Sequence, residues 1–265
     1  MLDLIANVRR DEICAILKKQ QAATTVSLAA DFDVSIETIR KDLMILENEG
    51  KLARVHGGAV AKSTAKPYMN LSGRMRSMKS EKTELSQLSA SLVKNGDIIA
   101  IDAGSTAIEF ISALMERFDT LTIVTHSMDV FQRGCGYKNF EIILCGGYYS
   151  KSENSFYGDF AEYTAGNLHV GKSFIFPSAL SLKHGICDYS PELSRMQRKL
   201  IEAADDVIVA ADSSKYEKSA FIKVEDLNPG YFYIADSKLS ENIKEIYRNN
   251  DIKIITRKDE IPEAE

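Results

Sequence analysis

Between residues 34 and 50 the apolar side chains Ile36, Ile39, Leu43 and Leu46 recur at helical spacing, directly after Ser35. This pattern predicts a helix with Ser35 as N-cap, one apolar face for a core, and Gly50 as the stop. Glu37, Lys41, Met44 and Asn48 point the opposite way, with Thr38 and Arg40 on the flanks. Upstream, residues 10–19 carry Ile13, Ile16 and Leu17 at the same spacing, and residues 25–31 read as a shorter helix capped by Thr25. Residues 32–34 then form a three-residue turn, which gives a helix-turn-helix. Downstream, residues 51–60 have strand character broken by Gly57-Gly58, a hairpin that reads as a wing.

Beyond Glu84 the pattern alternates between short, almost wholly apolar runs and amphipathic stretches. Strands are predicted at 97–101, 121–125, 140–145, 173–176, 207–211, 231–235 and 253–256. Helices are predicted at 106–118, after a Ser127 cap, at 193–204 and at 241–248. Apolar strands separated by helices imply a mostly parallel sheet covered on both faces, with ligands at the carboxyl ends of its strands. The chain therefore divides into a winged helix-turn-helix (1–62), a linker rich in Ser, Gly and scattered cations (63–82), and an α/β domain (83–265).

Charge changes the picture once it is split along the chain. The net −5 conceals 9 basic against 9 acidic side chains in residues 1–62, +4 in residues 63–82, and −9 in the remainder. DNA contact must then come from local cations, namely Arg9-Arg10, Arg40-Lys41, Lys51 and Arg54, doubled by dimerisation. Arg74, Arg76, Lys79 and Lys82 read as a solvated basic connector able to touch the DNA backbone. No apolar run approaches the ~20 residues of a bilayer span, and the N-terminus lacks a signal-peptide pattern, so a cytoplasmic protein is expected. Cys14, Cys135, Cys145 and Cys187 show no CxxC spacing and read as buried thiols. His56, His126, His169 and His184 have no ligand-like spacing, so neither a metal nor a cofactor is expected.

Several strand ends carry polar residues. Asp102-Ala-Gly104-Ser105-Thr106 follows a strand and opens a helix, a place where backbone N–H groups and hydroxyls can cradle a phosphate. The same five residues also read as a plain strand–helix turn. Thr125-His126-Ser127, Gly146-Gly147 and Asp212-Ser-Ser-Lys215 end three further strands.

The ordered set Val34-Ser35, Thr38-Ile-Arg-Lys-Asp-Leu43, Leu46-Glu47, Gly50 and Arg54-Val-His-Gly-Gly-Ala59 resembles the DeoR family of bacterial transcription regulators. Ile101–Thr106, residues 122–125, Gly146-Gly147, Tyr157-Gly158 and residues 211–215 resemble that family's C-terminal sensor domain, itself similar to ribose-phosphate isomerases. The resemblance implies a DNA-binding repressor of a carbohydrate operon, a homo-oligomer whose operator affinity answers to a phosphorylated sugar or related metabolite. It places Ser35, Glu37, Thr38, Arg40, Lys41, Arg54 and His56 at operator DNA. It places Asp102, Gly104, Ser105, Thr106, Thr125, His126 and Lys215 at the effector. The family usually has Asn at position 126, an aromatic then Gly after Lys215, and a Gly-rich stretch where residues 176–179 read Phe-Pro-Ser-Ala. The alternative is a sugar-phosphate isomerase-like enzyme with a DNA-binding appendage. Asp102, His184, Asp188, Glu192 and Glu202 could serve it, but no acid–base pair stands at a fixed spacing, so no catalytic residue is assigned.

Overall fold

The computed structural model describes residues 2–20, 22–49, 51–55, 57–61, 70–137 and 139–261. The first unit runs α1 (Leu2–Gln20), β1 (Ala22–Thr24), α2 (Thr25–Asp31), α3 (Ile36–Asn48), β2 (Leu52–Val55) and β3 (Gly58–Ala61). Thr24, one residue before the expected cap, closes a capping box with Ser27, and Ser35 accepts from the Thr38 N–H to start α3. The three strands form an antiparallel sheet in the order β1-β3-β2, so the hairpin is a true wing. Ile13, Leu17, Leu28, Ile39, Leu43, Leu46 and Leu52 fill the core beneath it. The α3 stripe needs one correction: Ile36 is 40% exposed, while Asp42 is buried among the apolar positions. Ile36 is the first residue of the helix and projects past the end of the core. The expected Gly50 stop lies outside the described residues.

The second unit begins earlier than the pattern predicts. Residues 63–69 lie outside the described residues, but from Asn70 onward the expected linker is folded as α4 (Leu71–Arg76) and α5 (Lys79–Ser89). The Asn70 side chain caps α4 through the Gly73 N–H, and Leu71 is buried. Lys82 is also buried; its Nζ donates to the carbonyls of Arg74 and Ser77 at 2.6 Å each, closing the open end of α4. The cations read as solvated are thus partly internal.

Then follow β4 (Ile98–Ile101), α6 (Ser105–Met115), β5 (Leu121–Thr125), α7 (Met128–Cys135), β6 (Phe140–Leu144), β7 (Tyr148–Ser150), β8 (Ser155–Tyr157), α8 (Asp159–Gly166), β9 (Val170–Ile175), β10 (Ala179–Ser181), β11 (Gly185–Asp188), α9 (Pro191–Glu202), β12 (Ala204–Ala210), β13 (Ile222–Glu225), β14 (Phe232–Ile234), α10 (Glu241–Arg248) and β15 (Ile254–Ile255). Seven strands form a parallel sheet in the order β15-β14-β12-β9-β4-β5-β6. Alternate residues serve opposite faces. Ile99, Ile101, Phe174 and Ile208 join one core with Phe110 and Ile111 of α6, while Ala100, Ile175 and Val209 join the other with Met196 and Leu200 of α9. From β4 the chain builds outward to β6 on one side, then returns to β9 and builds outward to β15. The crevice at the carboxyl ends of β4 and β9 is therefore the switch point where such sheets bind ligands. A hairpin of β7 with β8 and a small antiparallel sheet β10-β11-β13 wall this end. Of the four cysteines, none of which is in a disulfide, Cys145 and Cys187 are buried but Cys135 is exposed, contrary to the expectation of four buried thiols. Burial pushes the Cys145 thiol up to about 11, so it stays protonated.

Candidate DNA interface and effector site

On α3, Arg40 and Glu37 form an exposed pair at 3.4 Å, with side chains 63% and 64% exposed. Such a pair is worth little in water and opens easily for another partner. Lys41 is exposed beside it. The Ser35 and Thr38 hydroxyls lie 2.8 Å apart, and Ser35 also caps the helix, so part of their hydrogen-bonding capacity is committed locally. Arg54 on β2 is tied to Glu47 through its backbone N–H at 3.0 Å and its guanidinium at 3.8 Å. His56 lies outside the described residues. Arg9 and Arg10, expected as phosphate contacts, both turn inward onto Asp42, at 2.7 and 3.2 Å. The sequence disguised this because Asp42 is 33 residues from Arg9. Asp42→Ala leaves two mostly buried guanidiniums without their carboxylate. It should destabilise the winged unit by about 2–4 kcal/mol. Urea unfolding checks this, and a native-like midpoint would show that the triad is dispensable.

At the other site the seven residues expected at the effector separate into two groups. Asp102 is fully buried, and three N–H donors and the His126 ring surround its carboxylate. Oδ1 accepts from Ala103 N–H at 2.7 Å and faces His126 Nε2 at 3.0 Å, while Oδ2 accepts from Phe176 N–H at 3.1 Å and Gln197 Nε2 at 2.9 Å. His126 uses its other ring nitrogen on the Phe156 carbonyl, at 2.9 Å, which fastens the β7–β8 hairpin to the sheet. The Thr125 hydroxyl donates to Ile101 O and accepts from Ser127 N–H. These three residues are fully buried, and their side-chain polar atoms are engaged within the protein.

Gly104, Ser105 and Thr106 differ. Gly104, at φ +116°, begins α6 without any side-chain cap, and a Cβ built there meets nothing within 4 Å. The first-turn N–H groups and the positive end of the helix dipole face that open space. Ser105 and Thr106 are only 7% and 8% exposed, yet their hydroxyls have no hydrogen-bond partner among the described residues. Lys215 follows β12 in a short 3-10 turn whose cap is Asp212. Lys82 lies within electrostatic reach of Asp212 and Lys215, and burial pulls its ammonium down to about 8.

Sequence reasoning named Asp188 only for the enzyme alternative and did not foresee it as a second buried carboxylate beside Asp102. Asp188 accepts from Tyr189 and Ser190 N–H at one oxygen and from Ser178 Oγ and Gln197 Nε2 at the other. Burial first, and then the charge of Asp102, raise its pKa. Gln197 thus bridges the two carboxylates, and its Oε1 is buried without a hydrogen bond. These residues lie just beyond the ends of β4 and β9, at the end of β11 and on α9, and no local spacing announces them. Arg74 of α4 pairs with buried Glu153 in the β7–β8 turn. Among the described residues no group of three or more His, Cys, Asp or Glu could hold a metal, and no helix is long and apolar enough to cross a membrane.

The model of the DeoR-like helix-turn-helix domain matches residues 9–65, and that of the DeoR C-terminal sensor domain matches residues 77–237. The chain belongs to the DeoR family. It is a DNA-binding transcription regulator and not an enzyme, which sets aside the isomerase alternative. Similar DeoR-family proteins include the L-fucose operon activator of Haemophilus influenzae, 30% identical over 94% of this chain and 99% of that one. A putative aga operon transcriptional repressor of Escherichia coli O157:H7 is 28% identical over 93% and 92%. The lactose phosphotransferase system repressor of Lactococcus lactis is 28% identical over 79% and 83%. Among solved structures, a ribose 5-phosphate isomerase A from Methanocaldococcus jannaschii superposes with a TM-score of 0.40 at 17% identity, covering 53% of this chain and 55% of that one. In this DeoR-family chain the position usually held by Gly after the Lys215 aromatic is Glu217, at φ +51°. Its side chain accepts from Leu182 N–H and Tyr247 O–H, which offsets the left-handed backbone strain.

Proposed function

We propose that this regulator represses a carbohydrate-use operon in the cytoplasm and that a phosphorylated sugar or related metabolite sets its operator affinity. The observation that carries the effector reading is the mouth of α6: a glycine with open space where a Cβ would stand, first-turn N–H groups without a side-chain cap, and the hydroxyls of two largely buried residues that meet no hydrogen-bond partner among the described residues. A phosphate monoester supplies the acceptor oxygens that such a cradle lacks, and Lys215 supplies a cation. The sensor unit is net acidic, so affinity must arise in this local pocket. The names of the relatives, which specify a fucose operon, an aga operon and a lactose phosphotransferase system, support a sugar-linked signal. A thermal-shift screen of sugar phosphates tests the reading, with the parent sugars and inorganic phosphate alongside. A rise in Tm confined to phosphorylated compounds is expected; no response to any of them would end it. The operator is obtained by selecting bound duplexes from a random-sequence library with the full-length protein.

The protein acts as a homo-oligomer on this reading. Its DNA-reading unit is electrically neutral, so one copy offers few phosphate contacts. On α8, Phe160 and Tyr163 stand three residues apart and are each 73% exposed, opposite the buried Ala161 and Ala165. Tyr148, 65% exposed, lies over Gly158 where that helix begins. An aromatic face of this kind fits a second copy of the chain. The double variant Phe160→Ser, Tyr163→Ser should sediment as a smaller species and bind operator at least about tenfold more weakly. Unchanged assembly would move the interface elsewhere.

A further inference from the structure

The tip of the wing is covered by the sensor unit of the same chain. A Cβ built on Gly58 would lie 2.3 Å from the Phe221 ring, and one built on Gly57 would lie 3.1 Å from it. The missing Cβ at Gly58 permits the close approach of the ring, and Gly57 holds φ +82°, which favours glycine. A second contact supports the first: Val55 of β2 shares a cavity of about 150 Å³ with Glu153, Tyr189 and Ser190 of the sensor unit. Phe221 ends a seven-residue segment that starts at Lys215. The middle of that segment is held tightly. Tyr216 is buried, the Lys218 N–H donates to Leu180 O, and the Glu217 carboxylate accepts from Leu182 N–H and the Tyr247 hydroxyl. A segment pinned in this way moves as one piece, so a shift at Lys215 reaches Phe221.

We propose that Phe221 is a latch for the wing: the docked form keeps the Gly57-Gly58 turn off DNA, and operator binding requires that turn to leave the Phe221 ring. An aromatic ring seated on the turn occupies the space a sugar–phosphate backbone would need, so latch and DNA compete for one surface. The two forms differ in a discrete contact, which is what a ligand needs if it is to change affinity at a distance. The regulatory sense of the latch rests on the effector reading of Lys215. The latch itself does not, and its test uses no effector.

The chain contains no tryptophan, so Phe221→Trp places a single indole at the latch. In full-length protein its emission should be blue-shifted and protected from acrylamide. Saturating operator duplex should shift it to the red and expose it to the quencher. Phe221→Ala should bind operator about fivefold or more tightly than the native chain. Its far-UV spectrum and cooperative melting should be retained. An indole signal unmoved by saturating operator, or a folded Phe221→Ala protein with unchanged or weaker operator affinity, would overturn the latch. Because no effector is present, either result leaves the phosphate-cradle reading where it stood.

Discussion

The double variant Arg40→Ala, Lys41→Ala should lose about 2–4 kcal/mol of operator binding, a fall of roughly 30- to 1,000-fold. Both side chains are exposed on the first turns of α3, the part of a recognition helix that meets base edges. Neither contributes to the core, which is built from Ile39, Leu43 and Leu46, so melting should be unchanged. The surface pair of Arg40 with Glu37 contributes little to folding and is readily exchanged for a DNA partner. Salt dependence separates the two roles. A side chain that touches only phosphate lowers the slope of log K against log salt by about 1 and weakens every sequence alike. An Arg bidentate to guanine relaxes selectivity at one position. Gel-shift titrations on the selected operator at several salt concentrations provide both readouts. Native affinity in the folded double variant would remove α3 from the recognition role.

The elements legible in the sequence were those whose residues meet the core in a regular rhythm. The α3 stripe, the Ser35 cap, the wing glycines and the seven sheet strands belong here, because continuous apolar runs such as residues 98–101 have no other stable place. What escaped depends on tertiary partners. α4 and α5 are polar, and α4 contains Gly73, so they read as linker. Their order comes from Lys82 reaching back to two carbonyls and from Arg74 meeting Glu153 79 residues away. The small sheet was hidden because β10 and β11 each have only three or four residues. At the crevice, position along the chain correctly drew attention to Asp102 and His126, but position cannot separate a ligand contact from a frame. Complete burial and filled hydrogen bonds mark Asp102 and His126 as frame, and on the proposed reading the ligand role falls to the residues that follow.

The frame and the cradle should therefore fail in different ways. Asp102→Asn replaces an oxygen that receives donors with an amide nitrogen that cannot accept, inside a fully buried network. A loss of about 2–4 kcal/mol of stability is expected, seen as a lower urea midpoint with or without effector. Ser105→Ala with Thr106→Ala removes hydroxyls that meet no hydrogen-bond partner among the described residues, so the ligand-free melting point should stay near native. The rise in Tm given by the active sugar phosphate should shrink or vanish. Gly104 is a poorer probe, because its φ of +116° strains any other residue whether or not a ligand is near. Lys82 adds a pH signature. Its ammonium titrates at about 8 in the free protein, below the ordinary 10.5, because burial penalises the charged form. A bound dianion favours that charged form and raises the pKa. Effector affinity should thus be complete below about pH 8 and decline as pH climbs from there toward the pKa of the complex. Calorimetry at pH 7 and 9 in buffers of different ionisation enthalpy measures both the affinity and the proton taken up. Equal affinity at the two pH values would place Lys82 outside the anion's field. A destabilised Ser105–Thr106 variant would return those hydroxyls to the role of a strand–helix turn.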